Sequence, residues 1–234
     1  MHRILSAIRS RWTTLLPAIA LGLGTTTLAD TAHARPNVVR SGGQVDGLIG
    51  GSNCIPGRAQ CRSDNPTLNG ATRGSVGGGV SIGWRARRWL AFGAMYRGGH
   101  LRPRYEITGL DANYRQGAQH SIMAYVRPIL PIWRFDLGLN LAPGYSRQIF
   151  YLSDDARDYT QGFVFMVGPS IDIFVTRRLF LGFEADFLFN AHGDVCEKRG
   201  STRTCVETED RHLAPVHQAI YGFHIGATFG RDRD

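Results

Sequence analysis

Lysine is nearly missing from this chain. Of its 27 basic residues only Lys198 is a lysine, and the rest are arginine. Long apolar runs are missing too. The longest, Leu15 to Gly24, has about ten residues, against the ~20 that a membrane-spanning helix needs, so helical spanning is excluded. No C-x₂-C spacing marks a zinc site. "GGG" at Gly77 to Gly79 has neither the lysine nor the following helix of a phosphate loop, and reads as close packing. The arginines form no basic stripe or recognition motif, which sets nucleic acid aside. The formal charge of +8 says little more about partners.

What is present begins with a leader. Arg3, Arg9 and Arg11 precede the apolar run, and "AHA" at Ala32 to Ala34 is an A-x-A cleavage site, the layout of a secretory signal peptide. Residues 1–34 are therefore expected to be a cleaved signal peptide and residues 35–234 the mature domain. Loss of three arginines and Asp30 lowers the charge to about +6. Four cysteines fit export to an oxidising compartment. Cys54 and Cys61 enclose six residues, Cys196 and Cys205 enclose eight. Of three possible connectivities, local pairing of Cys54 with Cys61 and of Cys196 with Cys205 is expected.

The mature chain alternates with a period of two, as half-exposed strands do. In "YGFHIGATF", Tyr221, Phe223, Ile225, Ala227 and Phe229 share one face, and Gly222, His224, Gly226 and Thr228 the other. The same pattern recurs in "QVDGLIG", "SVGGGVSIGWR", "WLAFGAMYRG", "QHSIMAYVR", "RFDLGLNLA", "GFVFMVGPSIDIF" and "LFLGFEADFLF". Eight strands result. Their connections are short and long in turn: "ARR", "PILPIW" and "VTRR" are short, whereas 51–75, 98–113, 147–159 and 190–215 are long and polar. One face carries the apolar set. The other carries Asp46, Arg85, Arg97, Arg127, Asp136, Asp172, Glu184 and Asp186. So many charges are costly in an apolar cavity but ordinary inside a transmembrane barrel with its apolar set turned to lipid. The fold expected is all-β: an eight-stranded antiparallel up-and-down transmembrane barrel behind the signal peptide. Trp84, Trp89, Trp133, Tyr96, Tyr145, Tyr159 and Tyr221 lie near strand ends and suit interfacial girdles. With "PILPIW" as a six-residue turn, Arg127 and Asp136 are expected to meet and, with Arg85 and Asp172, to plug one mouth.

With its leader, eight alternating strands and sorted connections, the chain resembles the small outer-membrane barrels of the OmpA/OmpX-like class. That resemblance implies location in the bacterial outer membrane, contact with its lipid and lipopolysaccharide, and delivery by the barrel-assembly machinery. The terminal strand Tyr221, Phe223, Ile225, Ala227, Phe229 resembles that machinery's signal. It departs from it in "GRDRD", because the Phe usually ends the chain.

Chemistry finds little support. His120 and Ser121 are adjacent and so point to opposite faces. Glu184 and Asp186 share a face and could form an acid/base pair, but lumenal partners for arginines are the simpler reading. His224 reads as a hydrogen-bonded interior histidine. No catalytic, metal or cofactor site is assigned. The expectation is a monomeric structural or surface-interaction barrel with a plugged lumen and an extracellular ligand of unknown kind. A small-solute or ion conduit and a lipid A-modifying hydrolase are the alternatives.

Overall fold

The computed structural model describes residues 38–55, 68–107, 116–152, 156–207 and 216–230. The expected signal peptide, residues 1–34, and Cys61, with its expected pairing to Cys54, lie outside the described residues. Ten strands are present among the described residues: β1 Gly42–Cys54, β2 Leu68–Arg73, β3 Ser75–Arg87, β4 Leu90–Ile107, β5 Gln116–Ile132, β6 Phe135–Tyr151, β7 Ala156–Phe174, β8 Leu179–Arg199, β9 Thr202–Glu207 and β10 Gln218–Phe229. Eight of them close a ring in the order β10-β1-β3-β4-β5-β6-β7-β8, with β10 pairing back to β8. Every pairing is antiparallel between ring neighbours, so this is an up-and-down barrel.

The two strands outside the ring are extensions of its walls. β2 continues β3 along β4: Arg73 faces Arg102 and Gly77 faces Gly99, so the three residues between them on one strand oppose two on the other, a bulge near Gly74. β9 pairs β8 down to Glu207↔Asp194, and β10 takes over the same strand at Gln218↔Leu188.

Two expectations need correction. Much of the sequence read as long loops is strand: β6 runs to Tyr151, β7 begins at Ala156, and β8 reaches Arg199. Beyond the apolar belt each face mixes polar and apolar residues, as Arg147, Gln148, Ile149 and Phe150 do on β6, which removes the alternation while the backbone ladder continues. "PILPIW" is also not a six-residue turn. β5 runs through Pro128 and Pro131 to Ile132, and the turn is Trp133 and Arg134 alone. Ile129 N bonding Trp89 O at 2.8 Å carries the ladder past Pro128. Trp133 takes a left-handed φ of 53° in this tight turn.

The connections sort by end. The turns after Arg87, Ile132 and Phe174 are short and share one end with Gly42 and Phe229. The extensions and long connections occupy the other. Side chains sort by face. Ile49, Val76, Ile82, Ile122 and Phe223 are each more than two-thirds exposed, while Asp46, Ser81, Arg97, Ser121, Glu184 and His224 are buried. This is a soluble protein's pattern turned inside out. A continuous apolar exterior of this extent requires an apolar solvent. Trp84, Trp89 and Trp133 are exposed at the end with the short turns, and Tyr96, Tyr145 and Tyr221 toward the other. Tyr159 departs from the girdle expectation: it is only 2% exposed.

Candidate functional site: the filled lumen

Eight strands leave an interior that side chains can fill. The filling is layered. At the end with the short turns, Phe174 and Phe180 pack with ring centroids 5.6 Å apart. The segment before β1 lies over this mouth. Val39 is buried, its N bonds Arg177 O at 2.9 Å, and its O accepts from Thr228 Oγ1 at 3.1 Å. The next residue, Arg40, places Nε 3.0 Å from Asp136 Oδ1 on β6 and also bonds the Trp133 carbonyl. Arg85 pairs with the other oxygen of Asp136.

In the middle of the lumen Glu184 on β8 gathers the charges. Arg97 Nη2 donates to Glu184 Oε1 at 2.8 Å, while Arg97 Nε donates to Asp186 Oδ2 at 2.6 Å. Asn140 Nδ2 donates to the same Glu184 oxygen at 2.7 Å and accepts from Arg127 Nε through its own oxygen. Arg127 lies 3.5 Å from Glu184 Oε2 and 3.9 Å from Asp172 Oδ2. His224 bridges the last two carboxylates, 2.6 Å from Asp172 and 3.6 Å from Glu184. Asp46 accepts from Ser81 and joins no ion pair among the described residues.

The structure thus places all eight charged residues named from the sequence on the interior face. It does not bring Arg127 and Asp136 together. Because β5 continues past Pro128, Arg127 sits deeper, near Asn140, and Asp136 is left to Arg85 and Arg40. Arg40 and Asn140 escaped sequence reading. Arg40 precedes the first alternating segment, and Asn140 carries no charge to draw attention.

Toward the long connections the lumen changes chemistry. Leu48, Met95, Met123, Met166, Leu188 and Ile220 belong to an apolar cluster around Tyr125. Beyond it lies a layer of neutral polar groups. Gln148 Nε2 donates to Gln119 Oε1 at 2.8 Å, and Asn190 Nδ2 donates to the same oxygen at 3.2 Å. Gln148 also clasps the Val216 backbone, accepting from its N at 2.9 Å and donating to its O. This amide holds the approach to β10 as a neighbouring strand would. Ser146 Oγ donates to Asn190 Oδ1 at 2.6 Å and lies 2.6 Å from His192 Nε2, whose other nitrogen lies 2.8 Å from Thr160 Oγ1.

On the outer wall, Ile49, Val76, Gly78, Val80, Tyr96 and His120 line a groove of about 520 Å³. Tyr96 Oη lies 2.6 Å from His120 Nδ1, and His100 Nδ1 at the groove lies 3.0 Å from Ser75 Oγ. No group of three or more His, Cys, Asp or Glu residues able to hold a metal is present among the described residues. Cys196 and Cys205 form a disulfide across the β8–β9 hairpin, and Cys54 is also disulfide-bonded.

A closed up-and-down ring with an apolar exterior and a charged, packed interior is a membrane-spanning β-barrel. No family model and no curated protein matches the sequence. Solved structures do match the fold. The outer membrane protein OprG from Pseudomonas aeruginosa is similar with a TM-score of 0.52 and 9% identity, over 82% of this chain and 98% of that one. Neisserial surface protein A gives 0.49 and 12%, and the outer membrane protease OmpT from Escherichia coli 0.41 and 11%, each over the same shares. At 9% identity the likeness to OprG shows the fold alone: that of an outer-membrane β-barrel.

Proposed function

We propose that the chain is an integral protein of the bacterial outer membrane with a structural or surface-interaction role rather than an open conduit. One observation carries this reading. Arg97, Glu184 and Asp186 are fully buried and join opposite walls of the lumen. A solute path would need these ion pairs to part, leaving charges uncompensated in a confined space. The start of β1 at Gly42, the end of β10 at Phe229 and the short turns then face the periplasm, and the strand extensions face outward as the contact surface. Lipid and lipopolysaccharide surround the wall, and the terminal strand up to Phe229 serves the assembly machinery. The closed ring leaves no long sheet edge for self-association, which supports a monomer.

Planar-bilayer recording tests the closed lumen. Wild-type barrel should show no stable conductance; steady ohmic openings would replace this reading with the conduit. Surface labelling of tags in the 200–203 turn tests the orientation, and tags reached only after lysis would reverse it. A second reading, a lipid-modifying hydrolase, draws support from Ser75 and His100 beside the outer groove. A hydroxyl within reach of an imidazole is the start of a nucleophile–base pair. Lipid A profiles that change on expression of the wild type but not of Ser75→Ala would favour it.

A further inference from the structure

Strand alternation places a second group of side chains on the outer wall, past the apolar belt. They are Arg147 on β6, Arg157 and Tyr159 on β7, Lys198 on β8 and Arg203 on β9. Tyr159 is 2% exposed although it points away from the lumen, because two cations cover it. The Arg147 guanidinium carbon lies 3.9 Å from the ring centroid and that of Arg203 5.5 Å. The Cys196–Cys205 disulfide supports Arg203, whose Nε is 3.3 Å from Cys205 Sγ and whose Nη2 is 3.8 Å from Cys196 Sγ. Arg157 faces Lys198 across one ladder, and Lys198 faces Arg203 across the next. The chain's one lysine thus stands between two arginines.

Like charges directly opposite one another destabilise a sheet. Among the described residues none of the four cations forms an ion pair with a carboxylate. Asp158 points inward and is taken by Arg199 at 2.6 Å. Asp194 and Glu207, the acids on the outer face, sit opposite each other level with Arg147 and two outward rows nearer the membrane than Lys198 and Arg203, and neither forms an ion pair with the four cations among the described residues. The Nε atoms of Arg147 and Arg157 are buried without a hydrogen-bond partner. The group is therefore short of an anion.

Its depth indicates which anion. Arg147 lies two residues beyond belt residue Tyr145, roughly 7 Å along the strand. The polar layer outside the hydrocarbon is about 5 to 8 Å thick. Arg147 thus stands where lipid phosphates lie, Arg203 reaches back to the same Tyr159 ring from the row of Arg157 and Lys198 further out, and guanidinium groups recognise phosphate through paired hydrogen bonds. We propose that Arg147, Arg157, Lys198 and Arg203, arranged around Tyr159, form a binding site for the phosphorylated headgroup of an outer-leaflet lipid. The site rests on the outward orientation of the strand extensions proposed above.

Binding of bis-phosphorylated lipid A to the purified barrel in uncharged detergent tests the site without depending on orientation, which surface labelling reports separately. Wild type should bind at least tenfold more tightly than Arg147→Gln/Arg203→Gln, with folding verified by heat-modifiable gel migration. If that pair fails to fold, Arg157→Gln/Lys198→Gln should weaken binding in the same direction. Lipid A stripped of phosphate should bind wild type at least tenfold more weakly. Equal binding by folded variants, or by the dephosphorylated lipid, overturns the proposal. Displacement by inorganic phosphate at equal concentration overturns the lipid as the source of the anion.

Discussion

Arg97 on β4 and Glu184 on β8 meet across the full width of the barrel, Nη2 to Oε1 at 2.8 Å, four strands apart in either direction round the ring. Both are fully buried. Backbone hydrogen bonds tie each strand only to its neighbours, so this contact braces walls that the sheet itself leaves unconnected. Removing one partner leaves the other charged in a confined interior, which typically costs 3–5 kcal/mol. Arg97→Met should therefore lower the urea midpoint of unfolding sharply, and so should Glu184→Leu. Arg97→Met combined with Glu184→Leu should recover part of the loss, a coupling that a double-mutant cycle reads directly. Additive losses would mean that the two residues act separately.

The hub also needs space. Gly182 and Gly168 face inward, and a Cβ on either would collide with an interior side chain: with the His224 ring at Gly182 and with the Asp186 carboxylate at Gly168. Overpacking a close-packed interior usually costs 1–3 kcal/mol. Gly182→Val should exceed that range, because it both displaces His224 and breaks its 2.6 Å contact with Asp172. Gly193→Val is the control, since no atom lies within 4 Å of a Cβ there. Both variants are read by the temperature at which the heat-modifiable gel shift is lost. Equal temperatures would show that the lumen yields easily.

The sequence made the barrel legible through one signal, the alternation of an apolar set with a small or charged one. That signal exists because lipid sits on one face and a packed lumen on the other. It fails where either condition ends. At Arg157 to Gln161 and Asp194 to Lys198 the outward positions are polar or charged, so strands there resemble loops. Pro128 and Pro131 suggested a turn because proline lacks a ladder donor, yet both fall near the end of β5 where the sheet tolerates them. The charged residues were legible as a set, since period-two parity assigns a face. Their pairing was not, because a contact such as Arg97 to Glu184 depends on the stagger of strands round a closed ring. Arg40 was invisible for another reason: it sits on no alternating segment, and only the path of the chain over the mouth brings it to Asp136.

The hairpin of β8 and β9 stands beyond the ring, and its disulfide closes a short loop. In the chain-entropy account such closure is worth about 2 to 3 kcal/mol to the segment it spans. Because β9 pairs only with β8 and is not a strand of the closed ring, reduction should leave the barrel's own unfolding unchanged. The local effect should be fraying of 196–205, seen as faster proteolysis within the hairpin after reduction. Peptide mapping without reductant should recover Cys196 linked to Cys205. If reduction lowers the unfolding midpoint of the whole barrel, the hairpin is coupled to the ring after all.

Leu139 faces outward on β6, with Leu137 on one side and Leu141, then Tyr145, on the other. All four positions share one outward stripe, so an arginine placed at each samples depth while strand and face stay constant. A charged side chain on the lipid face costs about 2–4 kcal/mol at the bilayer midplane and 0–1 near the interfaces. Leu139→Arg should therefore be the most destabilising, with the loss shrinking at Leu141→Arg and nearly vanishing at Tyr145→Arg. The experiment is unfolding in liposomes, where hydrocarbon thickness is fixed. Thinner-chain lipids should narrow the profile, because an arginine at Leu141 then reaches the interface sooner. A soluble sheet buried on a partner protein would show no such dependence on lipid chain length. Equal losses at Leu139, Leu141 and Tyr145, unmoved by lipid thickness, would remove the membrane from this face.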